Sequence, residues 1–224
     1  MAKQKYEDQE IVCFPSALLD KIGRWSGFLP GHDWLLQEIL ECACYKNRAD
    51  VEEDEDWLQV ISYIVLESCG SFFCYERAPT SGEKRLRGKL SIGIGGHAKY
   101  RQDDTYDGEP NDGYWMEVLS REAHREVLEE VAILANSDVA TGFTVGYLYR
   151  DATPVDRVHF GVVEVWELAE RKPIQMQDTE LSNGEWVTWQ KLWENYNNLE
   201  GWSQELLCGL PISYDVMNRT SRLL

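Results

Sequence analysis

The stretch "REAHREVLEEVAI", residues 121–133, decides the reading of this chain. At about 100° per residue, Ala123, Val127, Val131 and Leu134 fall on one apolar stripe. Glu122, Glu126, Glu129 and Glu130 form an acidic stripe beside it. Glu122/Glu126 and Glu126/Glu130 are like charges four residues apart, and each pair costs a few tenths of a kcal/mol, roughly, in an isolated helix. Glu117 with Arg121 and Arg125 with Glu129 can offset part of that repulsion. A solvated charged face would be the ordinary explanation. Here, however, the acidic stripe borders the apolar one, so its carboxylates are expected close to the body of the protein. Hard divalent cations take carboxylate oxygens together with substrate phosphates, so the helix, expected over about 116–135, is a candidate cation site.

Upstream of this helix, "KLSIGIGGH" (89–97) reads as a strand whose Gly93, Gly95 and Gly96 admit a close approach by another backbone or a ligand. Between strand and helix, residues 98–113 are rich in Asp and Gly and predict a long loop. An EF-hand register through Gly108 puts Thr105 and Tyr114 on ligand positions and fails. "EIVCFPSALL" opens with a strand-like run, and "HDWLLQEILECACY" has helical spacing. "WLQVISYIVLES" and "SFFCYERA" predict a hairpin turning near Gly70. After the helix, "GFTVGYLYR" and "VHFGVVEVWEL" predict strands, and "TWQKLWENYNNL" and "WSQELLCGL" predict helices. Strands, a central helix, more strands and closing helices make an α/β layered architecture.

These residues resemble the signature of the Nudix hydrolases, G-x5-E-x7-R-E-U-x-E-E-x-G-U with U apolar. Glu117, Arg125, Glu126, Val127, Glu129, Glu130 and Ile133 match seven of its nine fixed positions. Strict spacing puts Asn111 on the first glycine, and Ala132 stands at the second. Aligning Gly95 and Gly96 with the opening glycines instead makes the acidic loop an insertion. The strand carrying "SIGIGGH" also looks like a subgroup described as predicted phosphoesterases. The resemblance implies a Nudix-like α/β/α sandwich with a mixed sheet, with residues 1–56 an N-terminal extension packed on a Nudix domain at 57–224.

It further implies a hydrolase that cleaves a diphosphate linkage in a small nucleoside-diphosphate-type substrate, with Mg²⁺ or Mn²⁺, by attack of water on phosphorus. Glu129 and Glu130 would be the principal metal ligands, Glu126 a further ligand or the group that orients or deprotonates the attacking water, and Gly96 a backbone carbonyl donor. Arg125 and Glu117 would fix the box by a salt bridge. Glu164, Glu180 and Glu185 are open candidates for a general base. A catalytically inactive Nudix-like nucleotide-binding or regulatory module is the alternative, suggested by the altered glycines and the long loop. Retention of all three glutamates favours the enzyme.

For the substrate's phosphates, Arg77 and Arg85, beside Arg87 and Lys89, present forks suited to phosphate oxygens. His97 adjoins the expected metal site, and Trp115 is a candidate for stacking on a nucleobase. The formal charge of −17, from 22 basic and 39 acidic residues, disfavours large nucleic acids and anionic membranes as partners. A small nucleotide-like molecule is the expected partner, and a homodimer is an option. No apolar run reaches the length of a membrane span, and the "MAKQKYEDQE" start lacks a signal-peptide core, so a cytoplasmic location is expected. The six cysteines lack C-x-x-C spacing and read as buried free thiols.

Overall fold

The computed structural model of the protein describes residues 9–31, 33–80, 84–101, 110–131, 139–169, 171, 174 and 176–210. Residues 102–109 of the expected acidic loop, and Ala132, Ile133 and Leu134 of the helix pattern, lie outside the described residues.

The strand β4 (Trp57–Ser68) is the axis of the molecule, with every residue from Leu58 onward buried. Its near-continuous apolar run is the pattern of a strand covered on both faces. It joins β5 (Ser71–Arg77) by a tight turn in which Cys69 (φ 48°) and Gly70 (φ 75°) both take left-handed backbone, as a two-residue hairpin loop requires. On its other side β4 lies parallel to β9 (His159–Leu168), from Gln59 opposite His159 to Glu67 opposite Glu167. The remaining pairings are antiparallel, so the sheet is mixed. Its path runs β10 (Leu181–Thr188), β5, β4, β9, β8 (Val139–Tyr149) and β2 (Gly27–Pro30). The strand β1 (Glu10–Pro15) pairs with β4 and with β3 (Cys44–Asn47), so the first part of the chain is knit into the same sheet.

Beyond their turn, β4 and β5 part. The single strand expected at 89–97 breaks at Ile92 into β6 (Leu90–Ser91), which pairs with β5, and β7 (Gly93–His97), which pairs with β4. Alternation along these strands assigns each residue to a face. Ile64, Ile94 and Trp166 pack with Ala123 and Val127 of α4 (Asp112–Glu130) and with Val131 just beyond its end. Leu58, Val60 and Phe160 pack on the same side with Leu119 of α4, with α1 (Ala17–Ile22) and with α2 (Asp33–Glu41). Tyr63, Val65 and Val165 face the other way. They are covered by α6 (Trp189–Glu194) and by a helix over 201–210 that buries Leu206, Leu207 and Leu210. The result is an α/β/α sandwich.

α4 begins earlier than its apolar spacing suggests, because the Asn111 side chain accepts from the Tyr114 backbone N–H at 3.1 Å and caps it. It ends at Glu130, where Val131 turns extended and bridges to Met176. Packing outweighs its charge pattern, since burial of Leu119 and Val127 contributes about 1.5–3 kcal/mol each, against tenths of a kcal/mol, roughly, for each Glu pair. All six cysteines are free, but only Cys13 and Cys74 are buried. Cys42, Cys69 and Cys208 are exposed, which corrects the expectation of buried thiols. Among the described residues no helix is long and apolar enough to cross a membrane.

Candidate functional site

Along α4 the acidic residues divide by environment. Glu122 is fully buried and is held by Arg121 Nε at 3.3 Å and Arg125 Nε at 2.9 Å. Glu129 is exposed and takes Arg125 Nη1 at 2.5 Å. Glu126 is buried, pairs with Arg125 and lies 3.8 Å from Lys99 Nζ. Its carboxylate sits where a Cβ on Gly96 would be, so a side chain there would displace it. Glu130 is buried too, and among the described residues its Oε2 has no hydrogen-bond partner. Burial pushes its carboxyl up to about 8; the nearby Arg77 charge opposes this, and Glu126, Asp178 and Glu200 add to it.

The expected pair of Arg125 with Glu117 does not form. The two lie eight positions apart on one helix, a rise of about 12 Å. Glu117 is exposed, and the Arg125 guanidinium is taken by Glu122, Glu126 and Glu129. The structural counter-ion is therefore Glu122, which the spacing had merged with the acidic stripe.

On the opposite side of β7 a cavity of about 390 Å³ opens between the sheet and the 200–202 segment. Gly95 and His97 line it, as do Arg77 and Arg85. The cavity wall at Gly95 and the Glu126 contact at Gly96 thus belong to adjacent residues on opposite faces of the strand. Arg77 Nε reaches Glu200 Oε2 at 3.3 Å, and Arg85 Nη1 donates to the Thr153 hydroxyl at 2.8 Å. The ring of His97 is fixed through Gln59. Gln59 Nε2 donates to the Val51 carbonyl at 3.0 Å, so its Oε1 faces His97 Nε2 at 2.8 Å and assigns that nitrogen the proton. Burial and the neighbouring His159 hold His97 well below the ordinary histidine range, hence neutral.

The sequence reading singled out neither Arg48, Arg150, His159 nor Trp202, all of which line this cavity, nor the buried Glu200 beside Arg77. They come from separate elements and share no spacing that could have flagged them. Trp115 is buried in the core against Tyr45 and does not line the cavity, which corrects its candidacy for stacking. Glu164 accepts from the Trp166 indole at 2.8 Å. The acids whose charge raises the Glu130 carboxyl are Glu126, Asp178 and Glu200.

Among the described residues no group of three or more His, Cys, Asp or Glu side chains is gathered for a metal. The donor chemistry nevertheless suits a hard cation. It comprises carboxylate oxygens of Glu126 and Glu130, one of them buried without a partner, beside a backbone bared by Gly96.

No protein-family model matches the chain. Protein YmaB of Bacillus subtilis (strain 168) is 33% identical over 166 residues, which cover 72% of this chain and 76% of YmaB. Tm1382, a candidate Nudix hydrolase, superposes with a TM-score of 0.68 at 23% identity, covering 90% of this chain and 97% of Tm1382. A NUDIX hydrolase from Nitrosomonas europaea gives a TM-score of 0.47 at 15% identity, over 71% of this chain and 89% of its own. The chain belongs to one family with YmaB, and its fold is that of the Nudix hydrolases.

Proposed function

We propose that this chain is a Nudix-type hydrolase that uses Mg²⁺ or Mn²⁺ to cleave a diphosphate linkage in a small nucleoside-diphosphate-type substrate by attack of water on phosphorus. The observation that carries this reading is the buried Glu130 Oε2, left without a partner on the helix face that meets Gly96 through Glu126. A buried acceptor in that state costs about 1–3 kcal/mol, more when charged. A cation recovers that cost.

In this reading Glu126, Glu129 and Glu130, with the Gly96 carbonyl, are the metal-holding groups. The bound ion would neutralise the diphosphate and lower the pKa of a water molecule. Everything else is work for the chain's own side chains. Arg125, braced on the buried Glu122, aims Glu126 and Glu129 along one side of α4. Glu126 or Glu129 orients the attacking water. Arg77 and Arg85 take phosphate oxygens in their planar forks. Glu117, solvent-facing and apart from Arg125, has no role in this scheme.

The test is hydrolysis of nucleoside triphosphates, nucleotide sugars and ADP-ribose by purified protein, with and without Mg²⁺ or Mn²⁺, with Glu129→Gln alongside. Metal-dependent turnover that the variant lacks is the expected result. Full activity in Glu129→Gln would remove that residue from the mechanism, and binding without cleavage would favour the inactive module.

A further inference from the structure

Besides Arg125, a second cation meets Glu126. Lys99 Nζ lies 3.8 Å from Glu126 Oε1, the same oxygen that Arg125 Nη2 holds. The two cations are anchored differently. Arg125 divides its guanidinium among Glu122, Glu126 and Glu129, so it is fixed on the helix and gives each carboxylate only part of a counter-charge. Lys99 brings a compact point charge on a flexible four-carbon stem. Its side chain is 33% exposed, against 11% for that of Glu126, which leaves it room to swing.

The backbone that carries this stem is held from two sides. Lys99 bridges to Ile11 of β1; the Val12 N–H donates to the Ala98 carbonyl at 2.8 Å, and the Tyr100 N–H to the Glu10 carbonyl at 2.9 Å. From α4, Arg121 Nη2 donates to the Lys99 carbonyl at 3.2 Å, and Arg121 is itself seated on the buried Glu122. Strand and helix thus fix where the stem starts, three residues after Gly96. The ammonium alone is left free to exchange one anion for another.

Its hold on Glu126 is loose. At 3.8 Å the pair is longer than a hydrogen bond, so the attraction is coulombic and open to competition. On the hydrolase reading Glu126 also serves a divalent cation, and like charges at one carboxylate repel. A cation that takes Glu126 therefore drives the ammonium off it. The anion that arrives with that cation is the substrate's diphosphate, and a lysine binds phosphate as a point charge.

Resting on the hydrolase reading above, we infer that Lys99 is a substrate-contacting residue that exchanges partners: its ammonium competes with the divalent cation for Glu126 and, displaced from it, binds the diphosphate.

The exchange gives one substitution opposite effects in two binding assays. Mn²⁺ is titrated into the full-length wild type, Lys99→Met and Lys99→Arg, with free Mn²⁺ read by paramagnetic resonance. Methylenediphosphonate, whose P–C–P bridge resists hydrolysis, is then added as its Mn²⁺ complex and its binding followed by calorimetry. Lys99→Met should bind Mn²⁺ about 3- to 10-fold more tightly and the diphosphonate about 10-fold more weakly. Lys99→Arg keeps the charge and should stay closer to the wild type in both. Mn²⁺ affinity that Lys99→Met lowers or leaves unchanged would make the ammonium a prop for Glu126 rather than a competitor. Unchanged affinity for the diphosphonate would remove its contact with substrate, and either result overturns the inference.

Turnover separates this inference from the hydrolase reading. If both shifts appear while the wild type cleaves no nucleoside triphosphate, nucleotide sugar or ADP-ribose, the assignment of Lys99 to a bound diphosphate stands and the hydrolase reading fails. If the wild type cleaves one of them and Lys99→Met matches its kcat/KM, the hydrolase stands and the assignment is overturned.

Discussion

Glu130 and Glu200 are buried to almost the same degree, 8% and 5% exposed, yet their surroundings are opposite. Glu200 accepts from the Ser91 hydroxyl at 2.7 Å, the Tyr63 hydroxyl at 3.1 Å and Arg77 Nε at 3.3 Å. Glu130 has an oxygen with no partner among the described residues, and its carboxyl is pushed up to about 8, chiefly by burial. The chain can plainly build a satisfied carboxylate site, and it does so a short way from α4. The comparison teaches that Glu130 is left incomplete for something the protein itself does not supply, whereas Glu200 is complete as structure and holds Arg77 in the cavity wall.

The largest effect expected from that contrast is on turnover. Glu130→Gln should lower metal-dependent hydrolysis about 100-fold or more, as loss of a metal-holding group does, without lowering thermal stability. Glu200→Gln should do the reverse to stability. It leaves the largely buried Arg77 without its counter-charge and should cost about 3 kcal/mol in denaturant unfolding. If the two variants behaved alike in both assays, the contrast would collapse.

Two smaller effects sharpen it. In metal-free protein the folded state keeps the Glu130 proton up to about pH 8, while the unfolded chain releases it near the ordinary 4.5. The folded state thus binds more protons across that window, so this group's contribution makes stability fall as pH rises from about 4.5 to about 8. Glu130→Gln should flatten that slope in a series of melts. Ser91→Ala removes one of the donors to Glu200 and should cost about 1 kcal/mol, read from the same unfolding curves.

Much of the frame was legible in the sequence because it rests on local periodicity. The hairpin of β4 and β5, the strands β8 and β9 and the amphipathic α4 each carry a run long enough to declare its period. The broken strand at Ile92 was not legible, because it answers to the parting of β4 from β5, a tertiary event. The start of α4 was misjudged because a single side-chain cap at Asn111 outweighs apolar spacing.

The candidate site divides in the same way. Glu126, Glu129 and Glu130 sit within one helical turn and a half, so spacing alone found them. Spacing could not separate Glu122, which is buried under Arg121 and Arg125, from its neighbours, although the eight positions between Glu117 and Arg125 already placed that pair out of reach on one helix. The cavity wall draws Arg48 from the start of α3 (Arg48–Val51), Arg150 from just after β8 and Trp202 from the last described helix. Convergence of that kind is a product of the sheet's topology and leaves no motif.

The central claim, that the unpartnered carboxylate on α4 is a cation's ligand, is tested most directly by titrating Mn²⁺ into the wild-type protein and into Glu130→Gln, with binding followed by calorimetry and by the paramagnetic resonance of free Mn²⁺. The account predicts binding by the wild type and affinity at least about 10-fold weaker in the variant. Equal affinity in the two proteins, or no binding by the wild type, would contradict it.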